Sequence, residues 1–388
     1  MTDTFSSLFN PRFKTFARSS SDPNDTATLP SYGNDDGFSG QNDVEAYRET
    51  DAFGEYAVLT HQSGRPGYLS SFFRNFWGGL GGLVQLPWEN TRAQWFFEDQ
   101  LWFDMPLMDY FRSPGMGQIP PFDGPFTESR AGGHITYAPM MWENDFKLRV
   151  MDNWFFNAAR FHRVTGVLGT WDDLLELPDR DAWEVVANNA GSWPHQTTRV
   201  PHQVVLNVPG NGGALNIPLS GPATILEFTA TVTDPAHWDG LVARFTFDGA
   251  LFPQVDIPLR MLGGMVRQPF SAPVTTLLMN NNGNDRITCY FPMHFASTAV
   301  LEIVNDNPGK GAQVTIDYCL GTGTHPGDWG YFTTSYNEGI TQTGVPFPGP
   351  SISDAQGMVR FMCLESSINN FGTIPGSVSL MHIEGDLC

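Results

Sequence analysis

Trp95-Phe-Phe-Glu-Asp99 and Arg244-Phe-Thr-Phe-Asp248 carry one pattern twice: aromatic residues running into a carboxylate. Other pairs follow in the same order. Met105-Pro-Leu107 answers Ile257-Pro-Leu259, and Ile135-Thr-Tyr-Ala-Pro-Met140 answers Ile287-Thr-Cys-Tyr-Phe-Pro-Met293. Val150-Met-Asp-Asn153 answers Val304-Asn-Asp-Asn307, while Ser63-Gly64 and Ser220-Gly221 each stand before a strand-like run. Single matches of this kind have no weight. Several in one order at similar spacing imply a duplicated domain.

Each copy reads as β structure. Phe228, Ala230 and Val232 alternate with Thr229 and Thr231, and Val314, Ile316 and Tyr318 alternate with Gln313, Thr315 and Asp317. Period-two alternation puts apolar residues on one sheet face and polar residues on the other. The 40 Gly, 29 Pro and 30 Phe favour turns and pleated surfaces over helices. Eight-stranded jelly rolls suit units of this size with long crossing loops. The fold class expected is therefore all-β, a tandem jelly roll with a short helical linker.

The divisions expected are a polar N-terminal arm over 1–45, a first jelly roll over 46–163, a helical connection over 164–199 and a second jelly roll over 200–388. The helix signal is Asp181-Ala-Trp-Glu-Val-Val-Ala-Asn-Asn-Ala190, with Asp181 as cap, Glu184 at capping-box spacing and Gly191 past the end.

The chain has 388 residues, 21 Lys+Arg against 41 Asp+Glu, and a formal net charge of -20. With no basic run to offset that, nucleic acid is not an expected partner. No apolar stretch is long enough to span a membrane, and residues 1–29 lack the apolar core of a secretory signal. The expected location is cytoplasmic. The four cysteines, Cys289, Cys319, Cys363 and Cys388, form no C-x-x-C pair, and no histidine cluster has metal-ligand spacing. Neither a metal nor another cofactor is expected.

Chemistry is most visible at the end of the chain, Val378-Ser-Leu-Met-His-Ile-Glu-Gly-Asp-Leu-Cys388. As a strand, it puts His382, Glu384 and Asp386 on one side. Carbohydrate-cleaving sites usually work with a pair of carboxyl groups, which makes this face a candidate site. His382 and Asp386 would be substrate or supporting contacts. Loop aromatics such as Trp77 and Trp102 are candidates for stacking on sugar rings, with core packing the commoner role for such residues.

The second copy resembles glycoside hydrolase family 172, formerly domain of unknown function 2961. The resemblance rests on Phe245-Thr-Phe-Asp-Gly249, Pro253-Gln-Val-Asp-Ile-Pro-Leu259, Tyr290-Phe-Pro-Met-His-Phe295 and Asp328-Trp-Gly-Tyr-Phe332. Gly33-Asn-Asp-Asp36 is similar to the family's early Gly-Asn-x-Asp, and Pro66-Gly67 to its Gly-Pro-Gly. The resemblance spans roughly residues 30–388. It implies a double jelly roll acting on fructofuranosides or arabinofuranosides, a glycan as partner, and assembly as a homo-trimer or hexamer. Glu384-Gly385-Asp386 matches the first catalytic motif, so by this resemblance Glu384 takes the acid/base role. Asn34 and Asp36 would belong to the substrate site.

Two departures stand out. The family's second motif, Gly-Thr-Gly-Thr-Glu-Asp-Tyr, follows the first, whereas here Gly321-Thr-Gly-Thr324 precedes Glu384 and leads into His325. Ser71 stands where the family tends to carry Arg. The resemblance therefore implies a truncated chain with an incomplete second jelly roll and one member of its carboxylate pair. Double jelly rolls also build the shells of large icosahedral viruses, so a capsid-like subunit is an alternative. A non-catalytic sugar-binding protein is another.

Overall fold

The computed structural model describes residues 14–19, 47–76, 92–106, 109–110, 119–130, 133–151, 160–171, 180–194, 198–265, 273–321, 330–339, 362–364 and 381–383. The chain divides into two compact units, one built mainly on Asn10–Glu184 and the other mainly on Val185–Thr341 and Phe347–Asp386.

The first unit contains β1 (Lys14–Ser19), β2 (Tyr47–Asp51), β3 (Gly54–Ser63), β4 (Gly67–Phe76), β5 (Arg92–Phe97) and β6 (Gln100–Pro106). After these come β7 (Thr127–Arg130), β8 (Gly133–Thr136), β9 (Met140–Trp142), β10 (Asp145–Met151) and β11 (Arg160–Leu168). One sheet has the order β1-β11-β4-β8-β7, with β9 also on β4, and the other β2-β3-β10-β5-β6. Helix α1 (Arg180–Asn188) follows.

The second unit contains β12 (Pro201–Val208), β13 (Gly213–Ser220), β14 (Ala223–Val232), β15 (Leu241–Phe247) and β16 (Val255–Pro258). It continues with β17 (Met279–Asn281), β18 (Arg286–Cys289), β19 (Met293–Phe295), β20 (Thr298–Asn305) and β21 (Ala312–Gly321). Its sheets run β12-β21-β14-β18-β17, with β19 on β14, and β13-β20-β15-β16. A separate hairpin pairs β22 (Met362–Leu364) with β23 (Met381–Ile383).

Without the accessory strands β2, β7, β9, β17 and β19, the units share one topology. Numbered in chain order within each unit, the remaining strands form one sheet of order 1-8-3-6 and another of order 2-7-4-5. This is the jelly roll, two Greek keys folded face to face. The protein is a tandem jelly roll, as the repeat implied. The second roll has all eight strands between Pro201 and Gly321. The closing strands expected to be missing are in place as β20 and β21, upstream of the motif whose position suggested the deficit.

The duplication extends to individual hydrogen bonds. Gly64 N donates to Asn144 O at 2.8 Å, and Gly221 N to Ser297 O at 2.7 Å. Glu98 N donates to Asp145 O at 3.0 Å, and Asp248 N to Thr298 O at 2.7 Å. Arg92 bridges Asp104 across β5 and β6, as Arg244 bridges Asp256 across β15 and β16.

Alternation makes each core. In the first unit Trp95 is surrounded by Phe72, Tyr110, Phe122 and Phe146, with ring centroids 5.3 to 6.1 Å away. In the second, Phe228, Phe245, Phe247, Ile287, Leu301 and Ile303 belong to one buried cluster. Inward-facing side chains from both sheets of each sandwich fill the space between them.

Strand β11 runs through the boundary expected at 163/164, because it pairs with both β1 and β4 and so belongs to the first sandwich. Its partner β1 lies within the stretch read as a polar arm. Helix α1 begins at Arg180, which puts Asp181 inside the first turn instead of at the cap. Gly191 past the helix end has φ +69°, the left-handed conformation that glycine adopts freely.

Candidate functional site

Glu384 directly follows strand β23, whose register sets His382 opposite Cys363. Glu384 and Asp386 lie outside the described residues, as do Asn34, Asp36 and Trp77; of His382 only the backbone is described. Trp102, by contrast, is 64 % exposed at the start of β6, so core packing is not its role. Pro66-Gly67 enters β4, where a Cβ on Gly67 would run into the Trp142 ring. Packing alone accounts for glycine there.

Three polar assemblies occur among the described residues. The largest is on the outward face of β2-β3-β10-β5-β6. Residues Tyr47, Glu49 and Asp51 alternate along β2, as do Asp145, Lys147 and Arg149 along β10. Alternate residues share a face, so the two sets meet. Arg149 donates to Glu49 at 2.8 Å, Asp51 at 2.6 Å and Gln94 at 2.7 Å, and its guanidinium lies 4.2 Å from the centre of the Tyr56 ring. Lys147 donates to Glu49 at 2.9 Å and sits over Phe96. Burial pushes the Glu49 carboxyl up, but Lys147 and Arg149 together hold it below its ordinary value.

At the end of this ladder His61 Nδ1 is 2.8 Å from the Tyr47 hydroxyl, and its Nε2 is 2.8 Å from Asp145. The tautomer that satisfies both carries its proton on Nε2, donates to Asp145 and accepts from Tyr47. Burial and the nearby Glu49 raise the Tyr47 hydroxyl above its usual value, which disfavours the tyrosinate a nucleophile would need. The sequence reading missed this ladder. Its signal was two period-two runs of opposite charge, Tyr47-x-Glu49-x-Asp51 and Lys147-x-Arg149.

The second assembly centres on Glu227 in β14, whose side chain is wholly buried. Arg199 reaches it with two bonds of 2.6 and 2.7 Å, Thr229 donates at 3.1 Å, and the Cys319 thiol lies 3.6 Å away. Burial raises this carboxyl, but the Arg199 guanidinium and these donors bring it below the usual range. The third is Asp248, at the end of β15. It accepts amides from Ala296, Ser297 and Thr298, the Ser297 hydroxyl and the Tyr331 hydroxyl.

Glu49, Glu227 and Asp248 are each held below the usual range and partnered, the opposite of a general acid, whose carboxyl must keep its proton near neutral pH. Among the described residues no group of three or more His, Cys, Asp or Glu could hold a metal ion, and no helix is long and apolar enough to cross a membrane. Each assembly ties separate strands or loops together through its carboxylate.

No family model matches the chain, and neither does any curated protein. Among solved structures it is similar to the major capsid protein P2 from bacteriophage PM2, with a TM-score of 0.20 and 9% identity over 80% of this chain and 98% of that chain. Likeness at that level is silent on function.

Proposed function

We propose that the protein is carbohydrate-active and recognises furanosides, with Glu384 as the acid/base carboxyl. His382, Asp386, Asn34, Asp36 and Trp77 are its proposed substrate contacts, and a homo-trimer or hexamer its proposed assembly. The observation that carries this reading is the position of Glu384 immediately after the paired strand β23. Strand ends are where sheets present site residues at defined spacing, and the Glu384-Gly385-Asp386 pattern supports the same role. The net charge of -20 suits a neutral ligand better than a polyanion. Hydrolysis needs a second carboxylate, about 5–5.5 Å away for retention or about 6.5–9.5 Å for inversion.

Calorimetric titration with fructo- and arabinofuranosides, paired with a product-release assay, tests the proposal. The expected result is saturable furanoside binding that Glu384→Gln retains, with any slow hydrolysis abolished. Absence of both binding and product would overturn it. Closed shells or pseudo-hexagonal layers formed by a chain that ignores sugars would favour the capsid-like alternative.

A further inference from the structure

Strand β16 ends the sheet β13-β20-β15-β16 of the second unit. The last strand of a sheet turns one row of backbone groups away from its partner, and such a row is a template for pairing with another chain. Along β16 that row falls on Gln254, Asp256 and Pro258, every second residue. Thr334 occupies the first two positions: its N donates to Gln254 O at 3.0 Å, and its Oγ1 accepts from Asp256 N at 3.2 Å. Pro258 closes the third, because proline has no N–H to offer.

The neighbours of Thr334 hold it there. Tyr331 stacks on Phe247 with the ring planes 1° apart, and its hydroxyl bonds Asp248 at 3.0 Å. Phe332 packs against the core of the same unit, 6.0 Å from the Phe291 ring. Phe332 and Thr334 are half-buried, while Tyr331, Thr333 and Ser335 are exposed. That alternation belongs to an extended segment. Among the described residues, however, a single backbone–backbone bond joins it to the edge, and a hydroxyl stands where a further strand would present a carbonyl. A complete strand here would only move the open edge outward. A side-chain acceptor ends the sheet instead.

We propose that residues 330–338 are an edge guard, and that Thr334 is the residue that keeps β16 from pairing with a second copy of the chain. In a pure sample the strand available to an opened β16 is another β16, since antiparallel edges are complementary to themselves.

Thr334→Pro tests the guard, because it removes the donor N–H and the acceptor hydroxyl together. The Asp256 amide is expected to exchange at least about tenfold faster by NMR. Light scattering should show assemblies larger than those of the wild type, growing with concentration. Unchanged exchange in β14 and β21 is the check that the sandwich is folded. Thr334→Val, which keeps the size and the N–H and loses only the hydroxyl, should give the same two changes to a smaller extent if the proline variant unfolds. Adding Asp256→Pro to Thr334→Pro should restore wild-type association, since it removes the N–H through which the opened edge pairs. A fast Asp256 amide without added association would overturn the proposal. So would an Asp256 amide that both Thr334 variants leave unchanged, or association that the second proline leaves intact.

Discussion

Glu98 and Asp248 perform one task in two sandwiches. Each follows the strand that ends in its aromatic run, and each has positive φ, 52° and 53°. The Glu98 carboxylate receives the amides of Glu143 and Asn144, and the Asp248 carboxylate those of Ala296, Ser297 and Thr298. Each thus binds the loop that leads into the neighbouring strand, β10 or β20. A short acidic side chain in a left-handed turn makes this clasp, so the carboxylate recurs in both copies while the residues around it differ.

Asp248→Asn is expected to destabilise the second unit by about 2 kcal/mol at pH 7, the scale for hydrogen bonds to a charged group. Burial pushes the Asp248 carboxyl up, but the three amides and the Ser297 hydroxyl outweigh it and hold the group well below the usual range. A depressed folded value gives stability that is full above the unfolded value, near pH 4, and is lost as pH falls through the folded one. Thermal unfolding should therefore show a gap between wild type and variant that is open at pH 7 and narrows in strong acid. A gap unchanged down to pH 2 would refute the clasp.

Arg199→Met should leave the Glu227 carboxylate buried without its cation. The expected cost is about 3 kcal/mol, the low end for a broken buried pair because Arg199 itself keeps contact with water. Glu227 is lowered in the native protein, so its contribution is present above about pH 4.3 and lost on acidification. In the variant only the Thr229 hydroxyl and the Cys319 thiol oppose burial, the carboxyl is expected to rise above its ordinary value, and stability then falls as pH rises from that value through the raised one. Denaturant unfolding at pH 5 and pH 8 should show the variant more stable at the lower pH.

Cys289 and Cys319 should resist thiol reagents in the native protein. Burial pushes the Cys289 thiol up to about 12; burial and the neighbouring Glu227 push Cys319 up to about 11. Since the thiolate is the reactive form, iodoacetamide at pH 8 should leave both unmodified until denaturant is added, as read by peptide mass spectrometry. Labelling of Cys319 in Arg199→Met but not in wild type would tie its protection to the Glu227 assembly.

The duplication was legible because turns and aromatic runs are local features that survive divergence: Trp95–Asp99 and Arg244–Asp248 fall on equivalent hairpins. Strand alternation marked the cores for the same reason, since period two follows from the pleat alone. The boundary near residue 163 was not legible. What holds β11 in the first sandwich is pairing with Lys14–Ser19, a contact far away in sequence inside a stretch whose composition reads as an arm. Charge ladders were overlooked for a related reason. Tyr47, Glu49 and Asp51 are ordinary surface residues until β3 and β10 bring Lys147 and Arg149 beside them. Of the candidate site, the strand before Glu384 was legible from alternation, while its surroundings depend on chain segments that no local pattern brings together.

Arg149→Met should release β2 without unfolding the first unit. Strand β2 is an edge added outside the eight-strand pattern, and Arg149 is its main side-chain anchor through Glu49 and Asp51. The methionine keeps the apolar stem over Tyr56 but leaves the two carboxylates without their shared cation, and Lys147 then serves Glu49 alone. Amide exchange over residues 47–51 should speed up about tenfold, matching a local loss of about 1.4 kcal/mol, while β5 and β10 amides stay protected. Equal acceleration across β2, β5 and β10 would mean that Arg149 supports the whole sheet, and the account of β2 as a separately anchored strand would fail.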